Sequence, residues 1–318
     1  MFGRITAASA LLVVGLVTAR SDELAIADLV RDAALTPLPA LPPDLLNIRV
    51  GNGADASTDR DYVYAGWSLS AGRFDTLHVL AVDRQTGAWK HRGFKEDPNG
   101  HTALAGGGSV VDVRTSPHFI TLEMHHNPSA STTWVLRRDL ARAGAFYGWI
   151  KEFLPNELMV YEHSQIHVAP THYVEISIFD PVAARSRRIY PIEGGTAVRR
   201  AFVAGVKARW DSLGEDWFRT HNHHGDPERF DSSAGRFATD WAARGLAFEV
   251  SYEDFTGTSG TTSAATARVV VSCDGLDRAS TVRCGESAES DWAAALPDRD
   301  AAARLREAAA HPRLVPWK

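Results

Sequence analysis

Across 318 residues the chain has two cysteines and three methionines. No apolar run after the N-terminal stretch reaches the roughly 20 residues a membrane-spanning helix needs. Positive charge is not in excess, since 34 Lys and Arg stand against 39 Asp and Glu for a net charge of −5. That balance lacks the basic footprint of a nucleic-acid-binding protein. No H-E-x-x-H and no G-x-S-x-G elbow is present, so two common hydrolase signatures are missing. Gly106-Gly107-Gly108 is not followed by the Lys-Ser/Thr of a phosphate-binding loop, and Asn127-Pro128-Ser129 is barred from glycosylation by its proline. Gly51-Asn52-Gly53-Ala54-Asp55-Ala56 has the letters of a dinucleotide fingerprint, but no helix follows and no second strand arrives at βαβ distance.

What is present begins with an export signal over residues 1–19. Met1–Arg4 is a short basic region, Ile5–Val17 an apolar run, and Val17-Thr18-Ala19 a cleavage-type sequence. The expected location is extracytoplasmic, periplasmic or secreted, with no membrane span in the mature chain. The cysteines agree. Cys273 and Cys284 flank an Asp- and Gly-containing turn between two strand-like runs, which fits a hairpin disulfide in an oxidising compartment.

Residues 20–60 read as a Pro-rich lead-in, expected to be extended, followed by a first short strand at 46–50. From Asp61 apolar and polar residues alternate with period two, and apolar strands end repeatedly in an acid and a turn, at Asp83, Asp139 and Asp180. The 40- to 50-residue unit this implies is a propeller-blade period. Residues 79–89 (VLAVDRQTGAW) and 175–191 (EISIFDPVAARSRRIYP) resemble outer-strand hairpins of bacterial TolB-like β-propeller repeats, over about residues 61–192. The resemblance implies blades and carries no functional motif. Val198, Phe202, Val206 and Trp210 then recur at helical spacing, and a second helix is expected from Ser232 or Ser233 to Arg244. The expectation is a mainly β chain: a propeller-like repeat of short antiparallel sheets over 61–289, with a helical insertion at about 195–245 and an Ala-rich helical C-terminal tail over 290–318. A sandwich-like arrangement is the alternative.

Two histidine groups are the candidates for chemistry. Tyr161, His163, Gln165 and His167 share one face of a strand, and Glu123 and His125 repeat the theme on the preceding unit. If the units converge, these residues line a binding face. His221, His223, His224 and Asp226 could together hold a divalent metal such as zinc, or they could simply end a helix, where imidazoles favour the negative end of its dipole. No catalytic residue is assigned. The leading expectation is an exported, non-catalytic protein that binds a small molecule, a glycan or another protein. The alternative is a metal-dependent extracytoplasmic hydrolase or lyase. The nine tryptophans are read mainly as packing.

Overall fold

The computed structural model describes residues 24–34, 36–41, 43–50, 53–71, 74–94, 108–127, 130–163, 174–221, 230–240, 244–254, 265–278, 281–288 and 313–314. The export signal lies outside them. Among the described residues no helix is long and apolar enough to cross a membrane.

The lead-in is not extended throughout. Ile26–Ala33 forms helix α1 because Ile26 and Val30, one turn apart, bury on the same side, while Asp28 and Arg31 pair on the other. Pro43–Leu46 is a helical turn, α2, and β1 (Leu24–Ala25) pairs with β2 (Arg49–Val50). Ile26, Val30, Leu45 and Val50 pack on Val63, Trp67 and Leu80 of the first large sheet.

Four antiparallel meanders follow. Sheet one is β3 (Ala54–Thr58), β4 (Tyr62–Ala71), β5 (Phe74–Asp83) and β6 (Trp89–Phe94). Sheet two is β7 (Ser109–Thr115), β8 (Phe119–Asn127), β9 (Ala130–Arg137) and β10 (Arg142–Tyr147). Sheet three is β11 (Trp149–Phe153), β12 (Met159–Glu162), β13 (Ile176–Asp180) and β14 (Arg185–Tyr190). Helix α3 (Ala197–His221) precedes sheet four, which contains β15 (Phe230–Asp240), β16 (Gly245–Asp254), β17 (Ala265–Asp274), β18 (Arg283–Ala288) and β19 (Arg313–Leu314). The three acids seen in the sequence close hairpin turns: the Oδ1 atoms of Asp83, Asp139 and Asp180 accept N–H groups two residues on, at 2.9–3.0 Å.

The propeller expectation is corrected. Among the described residues the sheets are separate, no ladder runs from one into the next, and none curls or closes. Alternation and turn chemistry act within a hairpin, whereas closure depends on how whole sheets are set against one another. The TolB-like resemblance therefore extends no further than single hairpins. The second expected helix is also corrected. Residues 230–240 form β15, paired along β16, and a bulge between Gly235 and Ala238, with Arg236 at φ 49°, interrupts their alternation. Phe237 stacks on Phe248 of β16 at 5.2 Å, so tertiary pairing overrides local helical preference. The expected helical tail lies outside the described residues except at Arg313–Leu314, which is a strand.

Successive sheets pack face to face. Leu77 and Val79 of sheet one meet Ile120, Leu122 and Trp134 of sheet two; Phe119 and Val135 of sheet two meet Met159, Tyr161 and Phe179 of sheet three. Ile176, Ile178 and Tyr190 share a cluster with Phe248, Val250 and Val271 of sheet four and with Phe202 and Val206 of α3. Polar bonds between hairpin turns tie the sheets together. Arg138 donates to Asp59, to the Tyr64 hydroxyl (2.8 Å) and to the Ser116 carbonyl. The Glu157 carboxylate accepts the Ser116 hydroxyl (2.8 Å) and the His118 backbone N–H (2.7 Å). Asn156 Nδ2 donates to the Leu276 carbonyl (2.9 Å), and Arg278 Nε to Asp180 (3.1 Å).

Cys273 and Cys284 are opposed on β17 and β18 and form a fully buried disulfide. The bridge spans 11 residues, so reducing it is expected to cost about 3 kcal/mol through restored freedom of the unfolded chain. Urea unfolding with and without reductant measures this, and equal midpoints would show that the ladder alone holds the hairpin.

Candidate functional site

The strands that lead sheets one, two and three, β3, β7 and β11, lie beside one another. The Val113 N–H of β7 donates to Asp55 of β3 at 2.6 Å, and Arg114 of β7 reaches the Ile150 carbonyl of β11. Along this seam the packing is polar. Asp112 on β7 stands directly opposite Glu123 on β8, an arrangement of like charges that is unfavourable by itself. A register shift between Val110 and Asp112 places a bulge beside the pair, and one between Ile150 and Glu152 leaves Lys151 unpaired in the ladder. Bulges re-aim side chains in this way, often next to functional sites.

The charges are unevenly partnered. Arg114 Nε donates to Asp112, and Lys151 pairs with Glu162 at 2.7 Å with its ammonium 5.4 Å from the centre of the Trp149 ring. Glu123 has neither a hydrogen bond nor an ion pair among the described residues. Burial, and then the charge of Asp112, push its carboxyl up to about 7, although Arg114 and Lys151 oppose the shift. Burial also raises Glu152, again opposed by Arg114. The seam thus holds a carboxyl, Glu123, that takes up a proton near neutrality beside an aspartate bonded to Arg114. Groups perturbed in this way, in a half-buried setting, are functional candidates.

Only part of the two histidine groups falls within the described residues. His125 lies two residues beyond Glu123 on β8, on the face of Phe119 that is turned to sheet three, and is exposed. Tyr161 is a core residue, its ring stacked on Phe146 at 4.0 Å and its hydroxyl bonded to Ser177 and Ser186. His163 follows β12: its N–H donates to the Glu175 carbonyl at 2.8 Å and its ring is 6.4 Å from that of Tyr147. Burial lowers its pKa against the pull of Glu175. Lys151 links the two strands electrostatically: its charge acts on Glu123 while it pairs with Glu162, the neighbour of His163. Gln165, His167, His223, His224 and Asp226 lie outside the described residues, and His221 is the last residue of α3.

The divalent-metal expectation is corrected, because among the described residues no three His, Cys, Asp or Glu side chains come together to hold an ion. The acids of the seam face the cations of Arg114 and Lys151. Sequence reading missed Asp112, Arg114, Lys151 and Glu152. A signal for the first existed: counting outward from the Ser116-Pro117-His118 turn pairs Asp112 with Glu123.

No protein-family description matches the chain, and no curated protein does. A solved structure described as an analysis of two prolyl endopeptidases, concerned with inter-domain dynamics, is 13% identical with a TM-score of 0.30. The match covers 64% of this chain and 25% of that one. A likeness of that size assigns neither fold nor function.

Proposed function

We propose that this chain is an exported, non-catalytic binding protein whose ligand, a small molecule, a glycan or a segment of another protein, sits on the seam between sheets two and three. The observation that carries the reading is the opposed Asp112–Glu123 pair with Glu123 left unpartnered. A half-buried carboxyl without a partner is a cost to the fold, and a ligand bringing a cation or a hydrogen-bond donor would remove it. The signal-like N-terminus and the buried disulfide support placement in an oxidising, extracytoplasmic compartment.

The sign of the Glu123 contribution is definite. A carboxyl raised in the folded state stabilises the fold below its free value and loses that contribution as pH rises through about 7. Glu123→Gln should therefore flatten the fall in stability between about pH 4.5 and 7, and above 7 should exceed wild type by about 1 kcal/mol once solvent screening is allowed for. The same substitution should remove binding, the pattern of a site kept at the expense of stability. Thermal melting with spermidine and with a chito-oligosaccharide tests both parts. One probe should raise the wild-type Tm and leave Glu123→Gln unmoved. No shift with either probe, or equal shifts in both proteins, overturns the reading.

A further inference from the structure

On the outer face of sheet one, away from the seam, three rings from three strands form a stack. Trp67 of β4 stands opposite His78 of β5, and His91 comes from edge strand β6. His78 Nδ1 and His91 Nε2 are 3.0 Å apart, with their rings within 5° of parallel. Both imidazoles lie nearly parallel to the indole, at 5.4 and 5.6 Å. Trp67 is 1% exposed, and its Nε1 has no hydrogen-bond partner among the described residues. A bond between two imidazole nitrogens needs one of them bare. It survives the first proton and not the second, when two N–H groups and two positive charges face each other.

The surroundings do not favour the charged form. Lys90 and Arg92 flank His91 on β6. On α1 Asp28 pairs with Arg31 and Asp32 is exposed; Asp44 on α2 and Arg49 on β2 are exposed, and Asp55 of β3 is turned to β7. Among the described residues no carboxylate acts on either ring: burial lowers both pKa values, and His91 lowers that of His78 further. The neutral pair is thus the form the fold prefers. Its stabilisation is complete above the free imidazole value of about 6.5 and is lost as pH falls below it. Strand β6 depends on this contact more than an inner strand would. Among the described residues its ladder is with β5 alone, Trp89 to Gly93 are all exposed, and its ties to sheet two are Arg92 to the Leu140 carbonyl (3.1 Å) and Phe94 against Trp134.

We infer that the Trp67–His78–His91 stack is an acid-sensitive latch that holds edge strand β6 on sheet one, and that protonation of both histidines frees the strand. Release would leave β5 as the new edge, with its backbone groups open to another strand.

Amide hydrogen exchange on the full chain between about pH 8 and pH 5, corrected for intrinsic rates, tests the latch. Protection of residues 89–94 should fall by about tenfold for each unit that the imidazoles are held below their free value, while β8 and β9 stay protected. In His91→Gln, which keeps a side-chain hydrogen-bonding group without titrating, β6 protection should change much less with pH, since only His78 still titrates. Loss of β6 protection only in step with β8 and β9, constant protection in wild type, or the same fall in His91→Gln would each overturn the inference. Nitrogen-resolved NMR titration of the two histidines in wild type gives an independent reading. Two well-separated steps below the free value are expected, and two ordinary independent titrations would sink it.

Discussion

Glu286→Ala is expected to lower the unfolding free energy by about 3–5 kcal/mol, the effect of leaving one member of a buried ion pair without its partner. The Glu286 side chain on β18 is 2% exposed and that of Arg199 on α3 is 8% exposed. Glu286 Oε1 accepts the Thr196 N–H (3.1 Å), the Thr196 hydroxyl (3.0 Å) and Arg199 Nε (3.1 Å), while Arg199 Nη2 lies 3.0 Å from Oε2. Thr196 in turn caps α3 by accepting the Arg199 N–H at 3.1 Å. Arg199 also donates to the Ile192 carbonyl and lies over the Tyr190 ring at 5.7 Å. One carboxylate therefore fastens the start of α3 to sheet four. Without it, the buried guanidinium loses its counter-charge and the Thr196 N–H and hydroxyl lose their acceptor. Urea unfolding of Glu286→Ala and of the double variant Glu286→Met/Arg199→Met separates the pair from the charge. The double variant should recover most of the loss, because both desolvation costs leave together. A single-variant loss below about 1 kcal/mol would mean that water reaches Arg199.

Gly148→Ala is the second large effect, about 2–6 kcal/mol from backbone strain and overpacking combined. Gly148 links β10 to β11 at φ 131°, where side chains are rarely tolerated. A Cβ there would overlap the Glu162 carbonyl oxygen and lie 2.8 Å from its carbon. The backbone cannot retreat easily, since the Gly148 N–H donates to the Ser131 carbonyl at 2.8 Å and its carbonyl accepts the Thr133 hydroxyl at 2.7 Å. What must move is Glu162, and with it Lys151 and the electrostatics of Glu123. Binding at the seam should weaken together with stability in Gly148→Ala, whereas Glu286→Ala should destabilise the chain with ligand affinity intact. Chemical unfolding beside probe titration distinguishes the two. Unchanged stability in Gly148→Ala would show that sheets two and three are less tightly set than the contact implies.

Much of the chain was legible from local pattern. Residues 62–83 read as two strands from their runs of aromatic, β-branched and other apolar residues, and they pair as β4 and β5. Asp83, Asp139 and Asp180 read as turn residues because a short carboxylate reaches the N–H two residues on. The cysteine hairpin read correctly because 11 residues of strand, turn and strand return the chain to itself. The readings that failed lack such a local signature. Ile26 and Val30 form an apolar stripe only against a sheet still to come. Residues 232–240 carry helix-friendly alanines, yet the long partner strand β16 claims them. Tyr161 and His163 alternate correctly, but one is in the core and the other is beyond the strand's end.

By itself, then, the sequence determined the mainly β class, the hairpins, their turns and the disulfide, since each follows from contacts a few residues apart. Tertiary structure alone decided that the sheets stay separate and unclosed, that Lys151 of sheet three acts on Glu123 of sheet two, and that Arg199 finds Glu286 across 87 residues. Those outcomes depend on how whole sheets are set face to face, which depends on the summed shape of many side chains and leaves no periodic trace in the chain.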